Sequence, residues 1–167
     1  MHPINPIDWL CAKAPGFSDL SDEERTAITY FSLLWSFFEA EALQTNASAS
    51  SIFMLVHKWE GDGRLNISPF ASSLSYFRNR YFNNGKLTEN FDGLHLRRND
   101  CPELVNKVLK GENTNPADNV STLLIIVFRL RNNLFHGVKW AYGIRGQLEN
   151  FTNANEALMA ALDTNNG

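Results

Sequence analysis

Cysteine is scarce in this chain: Cys11 and Cys101 are the only two in 167 residues. Neither belongs to a CxxC pair or has a histidine beside it at metal-ligand spacing, which excludes a disulfide scaffold and a zinc module as organising principles. Long apolar runs are missing too. The longest, Leu123 to Phe128, covers six residues, against the roughly 20 that a membrane helix needs. The opening MHPINPIDWLCAKAPG carries Pro3, Pro6 and Asp8 where an export signal requires a continuous apolar stretch, so a cytoplasmic protein with no membrane partner is expected. There is no Gly-rich phosphate loop, no GxSxG and no HExxH, and nothing calls for a cofactor or a metal. Repeats, low-complexity tracts and long linkers are also absent, so residues 1–167 read as one domain.

What is present is ordinary for a folded protein: 44% hydrophobic and 20% charged residues, with twelve Phe and four Trp to fill a core. The net charge of −3 argues against a protein that coats nucleic acid broadly. The charge is unevenly spread, however. No Asp or Glu occurs between Asn119 and Leu148, where Arg129, Arg131, Lys139 and Arg145 give +4, and the other 11 basic and 18 acidic residues leave −7 elsewhere. A local basic patch on an acidic body suits a small anionic target such as a phosphate or one nucleic-acid segment. A central helix that simply carries few acids would look the same.

The spacing predicts helices throughout. Residues 1–17 read as an irregular arm. Ser21 with Glu24 forms a capping box, opening a helix to about Gln44 whose apolar stripe is Ile28, Phe31, Trp35, Phe38 and Ala42. A second helix follows the NASASS break and ends before Gly61-Asp62-Gly63. A third begins at Ser68-Pro69 and reaches Phe82, before the turn Asn83-Asn84-Gly85. Residues 86–100 give no clear pattern. A short helix follows Asp100-Cys101-Pro102 up to Gly111, and Pro116 opens the most apolar helix, which stops at Gly137. A last helix spans about 144–162. The expectation is an all-α bundle of five or six helices.

The chemistry-bearing segment is Arg131-Asn132-Asn133-Leu134-Phe135-His136-Gly137, at a helix end inside the acid-free region. Asn132 and His136 are about 40° apart on a helical wheel, whereas Arg131 is about 140° from His136. Arg131 must therefore reach round with its long stem, or the last turn must distort near Gly137. The other histidines, His2, His57 and His95, are scattered. The plain alternative is a surface arginine with a histidine placed favourably at a helix C-terminus.

Arg131, Asn132 and His136, with Gly137 directly after, resemble the Arg-x4-His signature of HEPN domains, which are all-α bundles. The segment Phe31 to Leu43, with Trp35 and Phe37-Phe38-Glu39, is similar to the first long helix of bacterial HEPN proteins. The resemblance implies a metal-independent endoribonuclease, often a toxin or anti-phage effector, whose cleft lies across a homodimer and whose protein partner can be an antitoxin. Some HEPN toxins have a Tyr two residues after the His, which an adjacent nucleotidyltransferase-type antitoxin adenylylates. Val138 stands at that position here, so that mode of control does not carry over. Many HEPN domains have lost catalysis, and a non-catalytic module that binds a protein or nucleotide is the alternative.

The proposed roles suit the residue types. Histidine titrates near neutrality and can act as base or acid, and arginine offers phosphate a planar fork of donors. Arg131, His136 and Asn132 are thus the candidate catalytic group, with Glu39 as a candidate for positioning Arg131. Lys139, Arg129, Arg78 and Arg80 are candidate RNA contacts, and Arg97-Arg98 could add to them from a loop. Cleavage by ribose 2′-OH attack needs both an acid and a base, so a dimer that brings two His136 side chains together is expected, with residues 117–136 as its seam.

Overall fold

The computed structural model describes residues 5–137 and 144–167. Among them are eight α-helices: α1 Pro6–Lys13, α2 Asp22–Leu43, α3 Ala49–Gly61, α4 Ala71–Tyr81, α5 Glu89–Asp92, α6 Pro102–Leu109, α7 Pro116–Phe135 and α8 Leu148–Asn166. The strands β1 Phe82–Asn83 and β2 Lys86–Leu87 form a minimal antiparallel hairpin around Asn84-Gly85. The class is all-α as expected, with more helices than the sequence spacing suggested.

The extra helices have identifiable causes. The expected irregular arm contains α1, because the Asn5 side chain accepts from Ile7 N–H at 2.9 Å and Pro6 occupies the first turn, where its missing N–H costs nothing. No residue of α1 is buried, so periodicity could not reveal it. The single turn of α5 falls in the stretch 86–100. The last helix starts at Leu148 rather than near 144, after Gly146 turns at φ 74° and donates its N–H to Glu24 at 2.6 Å.

The capping signals act as the sequence suggests. Ser21 and Glu24 satisfy each other's backbone N–H groups at 3.1 and 3.0 Å, and Ser48 with Ser51 does the same for α3. Along α2, Phe31, Trp35 and Phe38 are buried, each such ring contributing about 1.5–3 kcal/mol. This face meets α8 antiparallel, with Phe31 against Phe151 at 5.0 Å and Asn155 donating to the Ala27 carbonyl at 3.1 Å.

The bundle closes around α7, of whose 20 residues 16 are buried. From 117 to 136 only Asp118, Arg131, Phe135 and His136 escape burial. This corrects the expected seam: α7 is enclosed by its own chain along its length, and only its two ends, at Pro116–Asp118 and Arg131–His136, are open to a second molecule. Helix α3 runs antiparallel beside it, since His57 pairs with Asp118 at 3.0 Å while Ser48 and Ala49 stand near Phe128, Arg129 and Asn132. No described helix is long and apolar enough to cross a membrane.

Candidate active site

The C-terminal turn of α7 sets the geometry. His136 is the C-cap, with φ −88° and ψ 11°, and its backbone N–H donates to the Asn132 carbonyl at 2.9 Å. Gly137 follows at φ 75°, a left-handed conformation that a glycine adopts without strain. The chain thus leaves the helix at His136, and the exposed imidazole has no hydrogen bond or ion pair among the described residues.

Arg131 is held from several sides. Its Nη1 donates to Asn132 Oδ1 at 3.0 Å, and Nη2 stands 3.7 Å from Glu39 Oε2. The guanidinium carbon lies 5.9 Å from the Trp35 ring and 5.3 Å from the Phe135 ring. Glu39 is itself fixed, because its Oε2 accepts from Trp35 Nε1 at 2.8 Å. Two i,i+4 pairs, Trp35 with Glu39 and Arg131 with Phe135, therefore build the clamp, each lying on one face of its helix. With 28% of its side chain exposed, Arg131 keeps access to an outside ligand.

Asn132 is buried at 7% exposure, its oxygen occupied by Arg131. Beyond it opens a surface cleft of about 270 Å³ between the start of α3, the loop at Arg97 to Asp100, and α7. Arg129 lines this cleft at 3% exposure. Its Nη1 pairs with Asp100 at 3.2 Å and its Nε donates to the Leu94 carbonyl at 3.1 Å. Burial lowers the Arg129 pKa from its ordinary value, and the Asp100 carboxylate works in the opposite direction. Asn133 adds a bond to the Gly93 carbonyl at 3.0 Å, so α7 fastens the patternless stretch before α6.

The other candidates are elsewhere. Arg78 spends its Nη2 on the Val108 carbonyl and Asn119 Oδ1 at 3.2 and 2.9 Å, near the start of α7. That is about 18 Å along the helix from Arg131 at 1.5 Å per residue. Arg80 lines a separate depression with Tyr76, Asn83 and Glu149. Lys139 lies outside the described residues. His57 bridges Asp118 and Glu60 at the far end of α3, and His95 is an exposed loop residue with φ 50°. Sequence reasoning missed the roles of Trp35 and Phe135 in the clamp, and the Asp100 partner of Arg129. An arginine inside an apolar helix was the available signal for the last of these, since a buried charge requires a counter-charge.

The described residues contain no group of three or more His, Cys, Asp or Glu able to hold a metal ion. No family model, curated protein or solved structure matches the chain.

Proposed function

We propose that the chain is a metal-independent endoribonuclease of the HEPN type, with Arg131 and His136 as its catalytic residues and Asn132 assisting. The observation that carries this reading is the pairing of a clamped guanidinium with an uncommitted imidazole at one helix end. Glu39, Trp35, Asn132 and Phe135 hold Arg131, while His136, five residues on, is exposed and without a partner among the described residues.

In the reaction, the ribose 2′-OH attacks the adjacent phosphorus. A base removes the hydroxyl proton, the new P–O bond forms as the 5′ oxygen leaves, and an acid protonates that oxygen. His136 supplies one of these proton transfers. Arg131 donates to the non-bridging oxygens as charge builds on the phosphorane. Glu39 sets the orientation of Arg131, and Asn132 fixes one of its two terminal nitrogens.

The second proton transfer comes from His136 of another copy in a homodimer. Tyr30, Leu33 and Phe37, spaced for one face of α2, are all more than half exposed, as is Phe135 beside His136. The exposed Phe135 supports a two-fold contact at the end of α7, whereas Tyr30, Leu33 and Phe37 lie on a separate face of α2, toward α8. RNA is the substrate, and a toxin or anti-phage role with a protein antitoxin is the accompanying biological reading in a cytoplasmic setting.

The test is the chemistry of the product. Purified protein in EDTA is expected to cut RNA, leave 2′,3′-cyclic phosphate ends and spare a strand lacking 2′-OH groups. Cleavage that requires a divalent metal, or products with 3′-hydroxyl ends, would refute the mechanism. A protein that binds RNA or a protein partner without cutting would be the non-catalytic module instead.

A further inference from the structure

The cleft beyond Asn132 is built from donors. Arg97 and Arg98 stand exposed at its mouth, and Arg129 and Asn132 form buried parts of its wall. Ser48 and Ala49 bring the N-terminal end of the 13-residue α3 to the same space, the positive end of its dipole. The sole carboxylate lining it, Asp100, is already committed: it pairs with Arg129 and accepts the Arg97 backbone N–H at 2.7 Å.

A second feature is the donor capacity left open on the cleft wall. Asn132 is more than nine-tenths buried and its oxygen is taken by Arg131, yet its amide nitrogen donates to no described residue. Arg129 Nη2 is likewise without an acceptor among the described residues. Neither nitrogen is sealed from solvent, so both stay open to an acceptor that enters the cleft.

We propose that this cleft is a phosphate subsite, holding the phosphodiester of the RNA strand next to the one cleaved at Arg131 and His136. The proposal rests on the ribonuclease reading for its ligand, but the anion site itself can be tested apart from cleavage. Its volume of about 270 Å³ falls just below that of sites for drug-sized molecules, which suits a phosphate with part of its sugar. Asn132 links the two positions, since it lines the cleft and touches Arg131.

Two probes test the subsite on the whole protein: inorganic phosphate, and a short fully 2′-O-methylated RNA that cannot be cut. Phosphate is expected to shift the NMR signals of the Ala49 backbone amide and the Asn132 side-chain amide. In the Arg97→Ala/Arg98→Ala variant those shifts disappear. Its affinity for the methylated RNA falls about tenfold, and its salt dependence flattens by about 0.7 in log-log slope per lost contact. Both side chains are exposed and the Arg97 backbone bond to Asp100 survives the change, so folding is preserved.

The variant Lys107→Ala/Lys110→Ala removes the same charge around the end of α6 and is expected to weaken RNA binding less than twofold. Equal losses in the two variants would make the attraction non-specific and overturn the subsite. Silent Ala49 and Asn132 signals in a protein that cleaves RNA would also overturn it and leave the ribonuclease standing. Phosphate-dependent shifts in a protein that never cleaves would keep the anion site, but overturn its place beside a cleaved bond and the ribonuclease reading with it.

Discussion

Glu39 of α2 and Arg131 of α7 stand 3.7 Å apart, and the carboxylate oxygen that faces the guanidinium also takes the Trp35 indole N–H at 2.8 Å. The pair is partly exposed, and such pairs contribute only about 0–1 kcal/mol to stability. Its value is therefore in orientation. One end of α7 carries a positioned cation, while the neighbouring imidazole engages none of the described residues.

Glu39→Gln keeps the shape and removes the charge. The urea midpoint is expected to move by less than the equivalent of about 1 kcal/mol, while the initial rate of RNA cleavage falls about 10- to 100-fold through misplacement of Arg131. A large loss of stability, or an unchanged rate, would show that Glu39 does not position Arg131.

Arg129 and Asp100 form a buried pair, 3% and 7% exposed at their side chains. Arg129→Met leaves Asp100 without its counter-charge, and about 3–5 kcal/mol of stability is expected to be lost in chemical denaturation. The double variant Arg129→Met/Asp100→Leu should recover part of that loss, because no lone charge remains in the interior.

Burial holds the Tyr81 phenol above its ordinary pKa of 10.0, with Arg80 opposing, and burial raises Tyr76 in the same direction. The unfolded chain gives up these protons first, so between the unfolded and folded values the native state binds more protons. Stability is then full below about pH 10 and declines as pH rises above it. Tyr81→Phe is expected to make that alkaline decline shallower, measured as the urea midpoint across pH 9 to 11.

Gly137 sits at φ 75°, and a Cβ added there would meet no described residue within 4 Å. Gly137→Ala therefore carries only the backbone penalty of a left-handed residue, about 1 kcal/mol in chemical denaturation. Because the same turn sets the exit of the chain at His136, cleavage is expected to fall with it.

Much of this architecture was legible because local signals and burial agree. Ser21 with Glu24 starts α2, Pro116 opens α7, and the stripe through Phe31, Trp35 and Phe38 is the face that is buried. Helix α1 was hidden because it buries nothing and its opening Pro6 looks like a breaker. The segment 86–100 was hidden because its order comes from distant side chains, Arg129 and Asn133 of α7 bonding to the carbonyls of Gly93 and Leu94. Around the candidate site, Arg131, Asn132 and His136 stand out by their place at the end of an apolar helix inside the acid-free stretch. The burial of Arg129 shows only in its apolar neighbours along α7, and the diversion of Arg78 to Asn119 does not show at all, since a sequence cannot distinguish an arginine that faces a ligand from one that ties helices together.

The most direct measurement compares RNA cleavage in EDTA by wild type and His136→Ala, prepared side by side. His136 is exposed and its imidazole bonds to no described residue, so the variant should unfold at the wild-type denaturant concentration. Cleavage by wild type and a loss of about 10²- to 10⁴-fold in the variant is the expected result for a group that transfers a proton. Equal rates in the two proteins, or no cleavage by either across several RNAs, would contradict a catalytic site at the end of α7.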